Sequence, residues 1–177
     1  MNYKRFLPFL LAFVLPLLII YAWWGGFNRV TIGVEMREPL TYAYVEHSGD
    51  YAKLADELPR VREALERSGI EPGAVINVLY SHPERVARPD RRARVGYLVA
   101  PGSAVPTTLE IDTLPARRVV VARVRAAMLL APSRAYQALD GYLRRQGKSI
   151  VMPTVEIYEA SGSVMKPGLL TVEVESP

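Results

Sequence analysis

The sequence lacks cysteine altogether and has only two histidines among its 177 residues. Without cysteine it can form neither a disulfide framework nor a thiolate metal site nor a lipoprotein anchor. His47 and His82 do not stand in a metal-ligand spacing such as HExxH, so no metal and no cofactor are predicted. A glycine-rich phosphate loop and a nucleophile elbow are also missing from the sequence. These absences favour a binding protein over an enzyme.

The sequence has little net charge outside its N-terminus. The formal charge is +4, and Lys4 and Arg5 supply two of these charges, which leaves 20 Lys and Arg against 18 Asp and Glu. Arginines cluster between positions 85 and 94, but Glu84 and Asp90 interrupt the cluster, and two prolines indicate a loop. No helix-turn-helix precedes the domain. We therefore predict no nucleic-acid partner.

Residues 6–24 contain no charged side chain. As a helix they would span about 30 Å, the thickness of the hydrocarbon core of a bilayer. A buried core helix and a cleaved signal peptide are the alternatives, but Trp23 and Trp24 are unlike a cleavage site and suit a membrane interface. We predict a signal anchor over residues 1–25, with the N-terminus inside because of Lys4 and Arg5. The following domain would then lie outside the cytoplasmic (inner) membrane of a bacterium.

The remainder of the chain reads as two copies of a strand-helix-strand-strand unit. Alternating apolar residues predict the strands, and apolar residues at steps of three and four predict one helix in each copy. We predict a tether at 26–30, a first repeat at 31–100, a linker at 101–107 and a second repeat at 108–177. Three pairs of landmarks, 76, 78 and 78 positions apart, support the duplication: Pro39 and Pro115, Gly69 and Gly147, and Tyr80 and Tyr158.

The predicted fold class is α+β, with one transmembrane helix before the tandem duplication. Two antiparallel-rich sheets would pair about a pseudo-two-fold axis, with the helices on the outer faces. The inner faces would then meet in a concave groove. Clefts between two such units are common binding sites, so we expect the binding site in this groove.

Several short motifs resemble a known family. They are the segment 47–51 (HSGDY) at the end of a strand, the helix end at Gly69, and the segment 153–158 (PTVEIY). Together with the duplication they resemble the GyrI-like, or AraC-type effector-binding, domain over residues 31–175. The haem-binding SOUL family has a similar duplicated architecture.

The resemblance implies a small-molecule pocket with a carboxylate at its floor. In the family's Pro-x-x-Glu-x-Tyr strand this carboxylate corresponds to Glu156, and Tyr158 lies on the same strand face because side chains two apart point the same way. From the residues alone, Glu156 could instead be exposed, with Val155 and Ile157 buried. Further aromatic residues are predicted to line the groove and bind the ligand: Tyr42, Tyr44, Tyr80 and Tyr97.

These observations predict a membrane-anchored, extracytoplasmic domain that binds a small, largely apolar and cationic molecule between its repeats. A carboxylate among tyrosine rings suits a lipophilic cation through charge pairing and cation–π contact. Three alternatives stay open: a hydrolase with Glu156 as general base, haem binding with His47 or His82 as axial ligand, and a structural role. The predicted partners are a small-molecule ligand and, through residues 6–24, the membrane. The oligomeric state is not predicted.

Overall fold

The computed structural model describes residues 7–159 and 167–176. Residues 1–6, which carry Lys4 and Arg5 of the predicted anchor, lie outside the described residues, as do 160–166 and Pro177 of the predicted second repeat. In chain order the elements are α1 (Leu7–Trp23), β1 (Thr31–Arg37), β2 (Leu40–Ser48), α2 (Leu54–Arg67), β3 (Val75–Leu79), β4 (Arg92–Leu98), β5 (Glu110–Leu114), β6 (Arg117–Ala126), α3 (Ala131–Arg144), β7 (Thr154–Glu159) and β8 (Gly168–Glu175).

The eight described strands form one antiparallel sheet in the order β1-β6-β8-β7-β3-β4-β2-β5. The order has two-fold symmetry. Counted from the opposite edge, each strand from β1 to β4 takes the place of its counterpart from β5 to β8, and the reverse. The edge strands are swapped between the halves, because β1 pairs with β6 and β5 pairs with β2. The halves also join at the centre, where β3 pairs with β7.

One row of paired residues crosses the sheet and shows which face the helices cover. Register partners in a ladder point to the same face. From β2 to β6 the partners are Val45, Val95, Asn77, Glu156, Val172 and Ala122. Val45 and Val95 belong to the core under α2, whereas Val172 and Ala122 belong to the core under α3. Both helices therefore lie on one face, which we call the helix face.

The two helices on this face are held by apolar residues at helical spacing. Leu54, Val61 and Leu65 of α2 are buried, and α3 buries its own set, Ala131, Ala135, Leu139 and Leu143. Fully burying one such leucine contributes about 1.5–3 kcal/mol. Gly69 and Gly147 follow the helix ends with φ of +71° and +69°, the left-handed conformation that terminates helices and that glycine adopts without strain.

The opposite side of the sheet, which we call the second face, is also buried at its centre. A separate apolar cluster lies there, formed by Tyr42, Tyr44, Ile76, Val78, Val155 and Ile157. The central strands are thus covered on both sides. Burial of Val155 and Ile157 therefore does not require Glu156 to be exposed.

The prediction of two sheets with helices on their outer faces is wrong. The fold is α+β with a single sheet, because β3 and β7 pair through their backbones and make the two halves continuous. Both helices consequently lie on the same side rather than on opposite outer faces. Hydrophobic alternation shows which residues of a strand share a face, but it does not specify the neighbouring strand.

The predicted membrane-spanning helix is also wrong. Within residues 7–159 and 167–176, no helix has both the length and the apolar character that crossing a bilayer requires. Within the described residues α1 covers 17 positions, which at 1.5 Å per residue reach about 26 Å, less than the roughly 30 Å of a hydrocarbon core. The predicted single-pass location in the inner membrane depended on this helix and is wrong for the same reason.

Candidate functional site

The floor of the candidate site is the central strand pair on the helix face. Asn77 of β3 and Glu156 of β7 are direct register partners, and they lie between the parts of the sheet that α2 and α3 cover. Asn77 is 7% exposed and Glu156 is 5% exposed. The fold thus holds an amide and a carboxylate side by side on the rigid centre of the sheet.

A cavity of about 890 Å³ stands over this floor, within the usual size range of small-molecule sites. One wall comes from the start of α2, with Leu54 and Leu58, and the facing wall comes from α3, with Pro132 and Tyr136. Loop side chains complete the apolar lining, namely Met128, Leu129, Ile150 and Met152. Two of them are solvent-exposed, Met128 at 40% and Leu129 at 78%, so apolar surface extends beyond the enclosed part.

The Glu156 carboxylate accepts hydrogen bonds from three neutral side chains. Tyr158 donates its hydroxyl to Oε2 at 3.0 Å, and Asn77 donates its Nδ2 to the same oxygen at 3.3 Å. The hydroxyl of Tyr136 also hydrogen-bonds to Glu156, and it lies 2.9 Å from Oγ1 of Thr154. These contacts fix the orientation of the acid without neutralising it.

No positive side chain in the part of the chain that the structure describes forms a salt bridge with Glu156. Burial raises the pKa of the Glu156 carboxyl, and the hydrogen bonds from Asn77, Tyr136 and Tyr158 offset part of that rise. Burial likewise raises the pKa of Tyr158, as does the adjacent carboxylate, so its hydroxyl stays a donor at neutral pH. When Glu156 is ionised, its negative charge is therefore not compensated by any of the described residues.

Charged residues of both signs surround the cavity away from its floor. Glu84 and Arg85 come from the loop after β3, and Asp140 and Arg144 come from α3. Asp140 and Arg144 form an ion pair of 2.9 Å. Because these charges are balanced and solvated, they do not replace Glu156 as the main electrostatic feature of the site.

The structure brings together two of the six residues predicted to bind ligand, Glu156 and Tyr158. Tyr42 and Tyr44 lie on the second face, where Arg94 stands 4.5 Å from the centre of the Tyr44 ring and donates to the Tyr42 hydroxyl at 3.3 Å. Arg94 also lies over the ring of Tyr80, at 5.4 Å. Tyr97 packs in the core under α2, with its hydroxyl 3.5 Å from the carbonyl oxygen of Leu58.

Asn77, Tyr51 and Tyr136 are among the polar residues of the cavity that sequence reasoning missed. Asn77 was detectable as the single amide in the apolar strand VINVL. Tyr51 and Tyr136 stand at the start of α2 and within α3, where an aromatic residue resembles an ordinary core position. No sequence signal distinguished the helix side that faces the cavity from the side that packs on the sheet.

The two histidines considered as haem ligands have different surroundings. His82 lines the cavity next to Glu84. His47 is 9% exposed and its Nδ1 lies 3.7 Å from the Glu57 carboxylate. Within the described ranges, no group of three or more His, Cys, Asp or Glu could hold a metal ion.

A buried, hydrogen-bonded acid at the floor of a large apolar cavity is typical of a small-molecule-binding domain. The family model for the GyrI-like small-molecule-binding domain matches residues 31–175. The chain belongs to this family, and the resemblance noted in the sequence is confirmed over the same residues. A search of curated protein sequences finds no match.

Solved structures agree with this fold at low sequence identity. The C-terminal domain of EcmrR has a TM-score of 0.64 at 12% identity, over 82% of this chain and 96% of that one. EcmrR in a complex with DNA has a TM-score of 0.66 at 9% identity, over 92% of this chain and 64% of that one. SAV2435 bound to tetraphenylphosphonium has a TM-score of 0.59 at 11% identity, over 82% and 93%. At such identities the likeness concerns the fold alone.

Proposed function

We propose that the chain binds a lipophilic organic cation in the cavity between α2 and α3, with the Glu156 carboxylate as the countercharge. In this proposal the ligand lies between a first repeat, residues 31–100, and a second repeat, residues 108–177. The observation that carries the proposal is a buried acid beneath an apolar cavity, whose hydrogen-bond partners among the described residues are all neutral.

The physical argument rests on the cost of burying an uncompensated charge. An ionised carboxylate away from water is unfavourable by several kcal/mol unless an opposite charge is close. A bound cation supplies that charge, and its apolar groups remove the walls of the cavity from water. The tyrosine rings of the cavity add cation–π attraction. A neutral ligand would gain the apolar contacts but would leave the acid uncompensated.

SAV2435, which has the same fold, has been solved with the lipophilic cation tetraphenylphosphonium. This cation has a useful counterpart in tetraphenylborate, which has nearly the same size and shape and the opposite charge. Binding of each to the full chain can be measured by isothermal titration calorimetry. We expect the wild type to bind the cation and to reject the anion.

The decisive variant is Glu156→Gln, which keeps the side-chain shape and removes the charge. We expect it to weaken tetraphenylphosphonium binding by at least about tenfold, because a desolvated charge pair is worth about 1.5 kcal/mol or more. Glu159→Gln is the matched control, since Glu159 ends the same strand and is exposed. Equal affinities of the wild type and Glu156→Gln would refute the proposed role of the acid.

Hydrolysis with Glu156 as general base is the second candidate function. The raised pKa of the carboxyl favours it, because a general base works best with a pKa near the working pH. A panel of activated esters and epoxides tests this candidate. Turnover by the wild type that is lost in Glu156→Gln would establish it, whereas no turnover by the wild type would remove it for these substrates.

A further inference from the structure

Asn77 places a second acceptor beside the Glu156 carboxylate. Its Nδ2 donates to Glu156 Oε2 at 3.3 Å, while its Oδ1 is buried and has no hydrogen-bond partner among the described residues. A buried carbonyl oxygen without a donor is unfavourable, and native structures rarely leave one unpaired. Asn77 lines the cavity, so a molecule bound there can reach this residue.

The orientation of the Asn77 amide follows from the chemistry of its partner. Asn77 turns its Nδ2 towards Glu156, and when the carboxylate is ionised it can only accept hydrogen bonds, so the carbonyl oxygen of Asn77 then points elsewhere. Along β3 and across β4 the helix-face neighbours of Asn77 are Val75, Leu79 and Val95, whose side chains cannot donate. Across β7 its diagonal neighbours are Thr154 and Tyr158, whose hydroxyls already hydrogen-bond to Tyr136 and to Glu156. A donor for Oδ1 is therefore expected from the cavity.

We infer that the preferred ligand is a cation that carries N–H groups, such as a primary ammonium or an amidinium, and that Asn77 selects it. One N–H pairs with the Glu156 carboxylate and another donates to Asn77 Oδ1. The inference rests on the proposed function and specifies the chemical class of its ligand. Quaternary ammonium and phosphonium ions have the charge but no donor, so they satisfy Glu156 and leave Asn77 Oδ1 unpaired.

The test compares two probes that differ only at the cationic nitrogen: 2-naphthylmethylammonium and its N,N,N-trimethyl derivative. Both are fully charged at pH 8 and share the same aromatic group. Dissociation constants are measured by isothermal titration calorimetry for the full chain and for Asn77→Leu and Asn77→Val. The readout is the ratio of the two constants within each protein, so a general loss of affinity in a variant cancels.

We expect the preference for the primary ammonium to fall about tenfold in both variants, the size of one charge-assisted hydrogen bond. Leucine has the same branched heavy-atom skeleton as asparagine and valine favours strands, so at least one of the two is expected to fold, as circular dichroism will check. A ratio that stays within twofold of the wild type in the folded variants would overturn the role of Asn77. In that case cation binding that still depends on Glu156 would leave the proposed function intact, whereas failure of both probes to bind the wild type would overturn both proposals.

Discussion

Two buried glutamates on opposite faces of the same sheet differ in how their charge is compensated. Glu173 of β8 is 1% exposed and lies on the second face, where Arg37 donates to one carboxylate oxygen at 2.6 Å and Arg117 donates to the other. Glu156 of β7 is nearly as buried, but its partners are an amide and two tyrosine hydroxyls. The two acids therefore differ in the charge of their partners and not in their burial.

The difference follows from the strands that meet at each position. Arg37 and Arg117 are register partners on β1 and β6, a like-charge pair that would repel without an acid between them. The swapped edge strand β1 thus brings a cation to Glu173. At the centre of the sheet the partner of Glu156 is Asn77, which carries no charge. Glu173 is thus compensated within the fold, whereas in the proposed function a bound ligand compensates Glu156.

The largest expected effect comes from removing the charge of Glu173, the acid that two arginines compensate. Glu173→Gln should lower the free energy of unfolding by about 3–5 kcal/mol, because it leaves Arg37 and Arg117 facing each other without their acid. Urea denaturation followed by circular dichroism measures the change. The control is Glu175→Gln, an exposed residue at the end of the same strand, which should alter stability by less than about 0.5 kcal/mol. A loss below about 1 kcal/mol in Glu173→Gln would contradict the proposed difference between Glu173 and Glu156.

The pH dependence of binding should follow the uncompensated acid. A cation binds the ionised form of Glu156, whose pKa burial raises above its usual range. Affinity for tetraphenylphosphonium should therefore increase with pH, by up to about tenfold per unit below that pKa, and become flat above it. The same titration with Glu156→Gln should show no such increase. An affinity that is independent of pH in the wild type would mean that the acid is ionised throughout or is not involved.

The stability of the ligand-free protein should also depend on the ionisation of Glu156. It should fall as pH rises, whereas affinity for the cation should increase. Because the folded-state pKa of Glu156 is raised, the folded state binds more protons than the unfolded state between the two pKa values, and stability falls as pH rises through that window. Glu156→Gln should remove this fall and should therefore be more stable than the wild type at pH 8. Thermal unfolding of both proteins at pH 5 and pH 8 measures it. A variant that is less stable than the wild type at pH 8 would contradict the prediction.

The smallest expected effect is the difference in cation affinity between tyrosine variants on the two faces of the sheet. Tyr44→Phe removes a hydroxyl on the second face, which donates to Glu110 at 2.8 Å, and should change cation affinity by less than about twofold. Tyr136→Phe removes a hydroxyl that contacts Glu156 and should weaken binding several-fold. Equal effects of the two variants on the dissociation constant would mean that the ligand does not lie on the helix face.

Glu156 and Tyr158 illustrate how far the sequence led towards the candidate site. Their spacing of two on a strand predicted a shared face, and the structure has both lining the cavity. Tyr42 and Tyr44 have the same spacing and the same aromatic character, yet they lie on the second face. Alternation places residues on one face or the other, but it carries no information on which face adjoins the cavity. That choice depends on the packing of α2 and α3.

Asn77 shows the same limit, because the sequence reveals an unusual residue but does not reveal its partner. An amide in an apolar strand is a visible anomaly, but its partner, Glu156, is 79 positions away in the chain.

The N-terminal helix shows a different limit, because the uncharged run 6–24 predicted a full span and α1 is described over 17 residues. The composition indicated that this segment is apolar, but only the structure showed which of its described residues are helical.

The amino-acid sequence by itself determined the strands and helices, their duplicated order, the helix-ending glycines and the family to which the domain belongs, because these depend on local periodicity and short motifs. The tertiary structure alone decided that β3 pairs with β7, that β1 and β5 cross to the other half, and that both helices lie on one face. Strand pairing and helix docking are set by contacts between residues far apart in sequence, and no local pattern encodes them. Among residues 7–159 and 167–176, those contacts provide Glu173 with two cations and Glu156 with none.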